Sequence, residues 1–314
     1  MNLQTSRVLI VSDQPQNVQV LAETLGSDHE LLVAGSAVRA LELAPSADLI
    51  LLDVLMPDMD GLEVCRRLKA NEATKRIPVI FVSARSQAEA QTEDQTRGFE
   101  AGAVDYILKP ISPALVRARV RTHLELKAAR DLLERLATQD ALTGISNRRR
   151  FDEAVEEEWR RSLRGSHLLT LAIADIDHFK AFNDRHGHGG GDTCLRLIAG
   201  VLQRLCRRPG ELVARYGGEE FAFLLPEVDP DGARQFVARV LNAVANLEIP
   251  GLEEAGGLSL SVGAVTLIPS PLNSLEGAIR AADEGLYQAK KSGRKRGVVR
   301  DLETEAVCEV PPVV

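Results

Sequence analysis

The stretch Asp48-Leu-Ile-Leu-Leu-Asp53-Val-Leu-Met-Pro-Asp-Met-Asp-Gly61 decides the fold of the first part of the chain. Four consecutive apolar residues end in an acid, and a proline and glycine turn follows. An unbroken apolar run this short reads as a strand buried on both faces, as in a parallel sheet covered by helices. The acid that ends it, Asp53, then lies at the carboxyl edge of that sheet, where ligands of such folds collect.

The same pattern repeats on either side. RVLIV (7–11), ELLVA (30–34), IPVIFVS (77–83) and DYILK (105–109) are each separated by polar, helix-periodic stretches. Alternation of this kind predicts a doubly wound sheet of five parallel strands. Asp13, Asp53, Ser83 and Lys109 follow the first, third, fourth and fifth strands, so all four meet at one edge. They comprise two acids, a hydroxyl and an ammonium. Singly they are ordinary, since Asp13 can cap a helix and Lys109-Pro110 can be a turn. Together they suit phosphoryl transfer to a carboxylate beside a divalent cation.

From Pro113 to about Asp140 no proline, glycine or aromatic residue intervenes, which predicts one long helix. Leu115, Arg119, Thr122, Leu126, Ala129, Leu133 and Leu136 alternate four and three apart, the spacing of a coiled-coil seam that Arg119 and Thr122 interrupt. The competing reading is a helix that only completes the first domain.

After Thr143-Gly144 the pattern changes. A helix from about Asn147 to Arg164 precedes the strand LLTLAIAD. A helix from about Gly191 to Arg207, the paired strands ELVARY and FAFLL, another helix, the strand LSLSVGAVTL and a last helix follow. Strands joined by tight turns and mixed with helices predict a mainly antiparallel sheet of α+β type. The tail DLETEAVCEVPPVV is acidic and aperiodic, and is expected to be disordered. The domain reading is therefore 1–122, a helical stalk at 123–139, a second domain at 140–300, and a tail at 301–314.

With 314 residues, 45% hydrophobic and 26% charged, the chain has the composition of a folded two-domain protein. Its net charge of −7 disfavours DNA and anionic membranes as partners. Four scattered cysteines without a CxxC pair, and no apolar run long enough for a signal peptide or a span, point to a reducing cytoplasmic location.

In the second domain, Asp175-Ile176-Asp177 ends a buried strand, and Glu219-Glu220 follows the Gly217-Gly218 bend in ARYGGEEFAFLL. Glycines at a hairpin tip let backbone N–H groups approach a triphosphate, while acids bind the cations that neutralise it. Lys180, Lys290 and Arg294 are further cations for phosphate. Taken alone, HGHGGG is a loop and GGEEF a hairpin turn, but in register they read as one site.

VLIVSD, LILLDVLMPDMDG, PVIFVSA and DYILKP resemble response-regulator receiver domains. DALTGISNRRRF, DIDHFKAFNDRHGHGGGD, RYGGEEF and ADEGLYQAKKSGR resemble, in order and spacing, the GGDEF domains of diguanylate cyclases. The resemblance implies a flavodoxin-like receiver followed by a nucleotidyl-cyclase palm. It implies Asp53 as phosphoacceptor, Asp13 and the Leu55 carbonyl as Mg²⁺ ligands, Ser83 and Lys109 as phosphate contacts, and Tyr106 as the switch aromatic. For the second domain it implies Mg²⁺ (or Mn²⁺) on Asp175, the Ile176 carbonyl, Glu219 and Glu220, with Glu219 the candidate base. Asn183 and Asp192 would read guanine, His188 would line that pocket, and Lys180, Lys290 and Arg294 would bind phosphates.

The expected activity is condensation of two GTP into cyclic di-GMP across a homodimer or larger oligomer, governed by a cognate histidine kinase. The rival is a silent GGDEF domain that senses nucleotide or docks a protein. Two departures stand out. Ser12-Asp13 replaces the usual acid pair, which lowers the expected Mg²⁺ affinity. Arg208 and Glu211 replace the inhibitory Arg-x-x-Asp, which puts product inhibition in doubt.

Overall fold

Short β-branched and leucine runs become strands here because burial on both faces stabilises them, at about 25 cal/mol per Å² of apolar surface. The structure is a computed structural model that describes residues 5–83, 96–248 and 258–311. The chain divides into two units, Met1–Leu133 and Glu134–Val314, and the division falls inside the stalk expected at 123–139.

The first unit contains β1 Arg7–Val11, α1 Pro15–Leu25, β2 Glu30–Ala34, α2 Ala37–Leu43, β3 Leu49–Asp53, α3 Gly61–Ala70, β4 Val79–Ser83, β5 Asp105–Leu108 and the start of α4 Pro113–Thr138. Its sheet has the order β2-β1-β3-β4-β5, and every pairing is parallel. Leu9, Val11, Ile50, Leu52 and Phe81 share one core with residues of α2 and α3. Val8, Ile10, Leu49, Leu51 and Ile80 share the other with α1 and α4.

On α4 the buried residues are Val116 and Val120, with Leu124 packed beside them, a face spaced i, i+4, i+8. The expected seam lies elsewhere on the helix. Its Leu115, Leu126, Leu133 and Leu136 are exposed. Arg119, read as a break in that seam, instead donates to the Asp105 carboxylate and the Tyr106 carbonyl and stacks 5.4 Å from the Tyr106 ring.

The second unit contains β6 Ser146–Asn147, α5 Arg148–Gly165, β7 Leu169–Ile176, α6 Phe179–Leu205, β8 Leu212–Arg215, β9 Glu220–Pro226, α7 Pro230–Ala245, β10 Leu260–Leu267, α8 Leu275–Lys291, β11 Gly297–Asp301 and β12 Val307–Val310. The sheet order is β12-β11-β10-β7-β9-β8-β6. It is antiparallel except for β10 with β11 and β6 with β8. Helices α6 and α7 cover one face and α5 and α8 the other.

Two local expectations are corrected. Residues 301–310 of the tail are not disordered, because β12 pairs antiparallel with β11 and buries Val310; residues 312–314 lie outside the described residues. Helix α6 starts at Phe179 rather than near Gly191, and the glycine-rich run is helical on both sides of one break at Gly187, where φ is 74°.

Candidate functional site

Strands β7 and β9 run antiparallel with Asp175 opposite Glu220, so two carboxylates from distant stretches stand side by side at the strand ends. Helix α8 brings a cation to them. A Cβ on Gly263 of β10 would lie 2.1 Å from the Ala282 carbonyl and the Leu286 N–H, so only glycine lets α8 pack this closely on the sheet. The end of that helix places Lys290 Nζ 2.9 Å from Asp175 Oδ2. Burial, then the negative charge of Asp175, push the Glu220 pKa above the ordinary glutamate value; Lys290 opposes that rise, while Asp283 and Glu219 add to it.

The glycine bend lies against these acids. The Glu220 carbonyl accepts from Tyr216 N at 2.8 Å and Gly217 N at 3.3 Å, and the Glu220 carboxylate lies over Gly217, where a Cβ would come within 2.5 Å of Oε2. Ile176 N donates to the Glu219 carbonyl at 3.3 Å, which ties the tip to the end of β7. Arg215 holds the tip from behind, donating to the Gly218 carbonyl at 2.7 Å and to Asp140 at 3.1 Å. Burial alone would raise the Asp140 pKa, but hydrogen bonds from Thr143 and Arg215 outweigh it and hold the carboxyl below its usual range.

Asp177 belongs to another network. Its carboxylate accepts from Ser259 Oγ at 2.6 Å, Ser261 Oγ at 2.7 Å and Lys295 N at 3.1 Å, so it fastens β10 and the turn after α8. Among the described residues no three acids, histidines or cysteines form a ready-made metal cage. Asp175 and Glu220 fit a hard divalent cation that fills its remaining positions with water and phosphate oxygens.

Of the other residues singled out in the sequence, Asn183 is the most informative. Its Oδ1 is buried without a hydrogen-bond partner among the described residues, and it lies so close over Gly191 that a Cβ there would be 1.8 Å away. Such an orphaned acceptor is costly unless a ligand satisfies it. Asp192 follows Gly191 and is half-buried, whereas Lys180 and His188 are exposed. Arg294 sits in a left-handed turn after α8, φ 63°. Glu211 turns Oε2 onto the backbone N–H groups of Arg207 at 2.8 Å and Arg208 at 3.0 Å, while Oε1 stays 3.9 Å from Nε of the exposed Arg208 side chain. Burial pushes the Cys194 thiol up to about 12, which suits a packing role.

In the first unit, Asp53 is buried and its Oδ2 accepts from three donors: Lys109 Nζ at 2.8 Å, Ser12 Oγ at 3.0 Å and Asn17 Nδ2 at 3.2 Å. Asp13 and the Leu55 side chain are exposed. Ser83 ends β4 beside the segment that leads to Lys109, whose N–H donates to the Ser83 carbonyl at 2.8 Å. Tyr106 is half-buried, edge-on to Phe99. Sequence reading missed Asn17, Arg215 and Asp140. Asp140 and Arg215 carried a signal, as the first residues of the quoted DALTG and RYGGEEF motifs, whereas Asn17 carried none.

Residues 137–296 match the family profile described as diguanylate cyclase, GGDEF domain, and residues 8–121 match the response regulator receiver domain. The response regulator PleD of Caulobacter vibrioides is 31% identical over 301 residues, covering 92% of this chain and 64% of PleD. The chain thus spans a little under two thirds of that relative's length. Diguanylate cyclase VdcA of Vibrio cholerae is 38% identical over 55% of this chain and 51% of its own. The crystal structure of the coiled coil and GGDEF domain of DgcB from Caulobacter crescentus, in complex with c-di-GMP, superposes with a TM-score of 0.51 at 30% identity, covering 69% of this chain and all of that one.

Proposed function

The chain belongs to the GGDEF diguanylate cyclase family and carries a response regulator receiver domain ahead of that domain, and on this footing we propose that it condenses two GTP molecules into cyclic di-GMP. The observation that carries the reading is the Asp175–Glu220 register beside the Gly217-Gly218 bend. Each ribose 3′-oxygen attacks the α-phosphorus of the other GTP, the bond to the β-phosphate oxygen breaks, and one pyrophosphate leaves per bond formed. Glu219 takes the 3′-hydroxyl proton, with Glu220 beside it.

Asp175, the Ile176 carbonyl, Glu219 and Glu220 are the groups to hold Mg²⁺ or Mn²⁺, which when bound neutralises the triphosphate. The N–H groups of Gly217 and Gly218 approach the phosphates, and Lys180, Lys290 and Arg294 add positive charge. The unsatisfied Asn183 Oδ1 suits the N–H edge of guanine, with Asp192 and His188 close by in sequence. The second unit carries one such acid pair, so two copies must face each other for both bonds to form. The exposed stripe Leu126, Leu133 and Leu136 suits that pairing.

Regulation follows from the first unit. A cognate histidine kinase phosphorylates Asp53, Ser83 and Lys109 contact the phosphoryl group, and Tyr106 passes the change to α4 through Arg119. No helix among the described residues is long and apolar enough to cross a membrane. The inward turn of Glu211 supports weak product inhibition at Arg208.

The test is to incubate the purified chain with GTP and Mg²⁺ and separate the products by chromatography. Cyclic di-GMP with two equivalents of pyrophosphate is expected, and intact GTP would refute the proposal.

A further inference from the structure

Among the described residues, the Asp53 carboxylate of the first unit is held by one cation and two neutral donors. Asp53 is 2% exposed, and its Oδ2 carries one ammonium, from Lys109, and two neutral donors, from Ser12 and Asn17. The neutral pair is itself braced. Ser12, 4% exposed, accepts from Gln14 N at 3.2 Å, and the Asn17 amide also donates to Gln14 Oε1 at 2.8 Å. The acid next in sequence, Asp13, is exposed.

A carboxylate at position 12 would face Asp53 at hydrogen-bond distance, and two like charges that close need a cation between them. A hydroxyl and an amide instead donate to Asp53 directly, so this pocket gains less from a divalent cation than one with an acid at position 12 does. We propose that Ser12 and Asn17 form a neutral donor pair that holds the phosphoacceptor carboxylate where an acid at position 12 would repel it, and that this pair sets the Mg²⁺ affinity of this receiver low. The inference rests on the reading of Asp53 as phosphoacceptor. It adds two residues that tune how much Mg²⁺ phosphorylation requires.

The full-length chain is incubated with acetyl phosphate, whose phosphoryl group passes to an Asp53 carboxylate oxygen as acetate leaves. The phosphorylated fraction is read by phosphate-affinity electrophoresis across a Mg²⁺ series. Ser12→Asp is expected to lower the half-saturating Mg²⁺ concentration about tenfold, the size of one added charge-assisted contact. Asn17→Ala, which adds no charge, should lower it about two- to threefold by removing a competing neutral donor, within the size of one net hydrogen bond. In EDTA, Ser12→Asp should lower the melting temperature, and the drop should vanish when Asp53→Asn is added.

Equal Mg²⁺ midpoints for wild type and Ser12→Asp overturn the proposal and leave the phosphoacceptor reading intact. So does a drop in melting temperature that persists with Asp53→Asn. No labelling of the wild type at any Mg²⁺ concentration, or undiminished labelling of Asp53→Asn, overturns both.

Discussion

The two acidic pockets of this chain solve the same electrostatic problem in opposite ways. In the first unit one buried carboxylate, Asp53, is held by one ammonium and two neutral donors. In the second unit two carboxylates, Asp175 and Glu220, face the Lys290 ammonium, which pairs with Asp175, and burial first, then the charge of Asp175, raises the Glu220 pKa. A pocket with surplus negative charge is poised for a cation, whereas a balanced one is stable without it.

The contrast is broken most forcefully by removing the surplus. Glu220→Gln should cut GTP turnover roughly 10²–10³-fold, as expected when one electrostatic contact to a reacting group is lost. An initial-rate assay at saturating Mg²⁺ checks this. The same change in EDTA at pH 7 should stabilise the fold slightly, by under about 1 kcal/mol because the group is substantially screened by solvent. The sign follows from linkage: a carboxyl whose folded pKa is raised favours the protonated folded state, so its contribution is fully present below the ordinary glutamate value and is lost as pH rises through the folded pKa. Melting curves of wild type and Glu220→Gln should therefore converge as pH falls below about 4.5 and separate above it.

Next in size is the brace behind the bend. Arg215→Ala leaves Asp140 without its guanidinium and frees the Gly218 carbonyl, at a cost of about 1–3 kcal/mol for a partly buried charge pair. That corresponds to roughly 3–10 °C in the melting temperature of a unit this size. Since the Asp140 pKa is lowered, its contribution is present above the ordinary aspartate value and is lost as pH falls through the folded pKa. The destabilisation by Arg215→Ala should shrink in that acid range.

A smaller effect is expected at the shared cation. Lys290→Gln leaves Asp175 and Glu220 unopposed and should lower the metal-free melting temperature by about 2–4 °C, about 1 kcal/mol for a largely buried pair whose ammonium still reaches solvent. Added Mg²⁺ should recover part of that loss, and calorimetry in EDTA and in Mg²⁺ measures both.

The five strands of the first sheet and β7 to β10 of the second were legible because continuous apolar runs such as Leu49–Leu52 and Leu171–Ala174 leave few other ways to bury both faces, whereas β6, β11 and β12 carried no such run. The meeting of Asp53 with Lys109 was legible too, since parallel strands deliver their carboxyl ends to one edge. The convergence of Asp175 and Glu220 followed from a strand end and a glycine bend.

The rest depended on contacts that no local pattern encodes. Asn17 reaches Asp53 from the first turn of α1, 36 residues away in sequence, and Arg215 reaches Asp140 across 75. Asp177 looked like a second site acid, yet its oxygens are taken by two serine hydroxyls and a backbone N–H. The glycines at 187–191 masked a helix that tertiary packing of Phe179 and Phe182 sustains. The pairing partner of the short β12 was likewise set by the sheet and not by its own sequence.

The most direct test follows α-labelled GTP in the wild type and in Glu220→Gln in parallel, from EDTA through a Mg²⁺ series. Cyclic di-GMP that rises steeply with Mg²⁺ in the wild type and is nearly absent in the variant is the predicted result. Product formation by Glu220→Gln within tenfold of the wild type, or formation by either protein in EDTA, would contradict the reading of Asp175 and Glu220 as the cation-dependent heart of the enzyme.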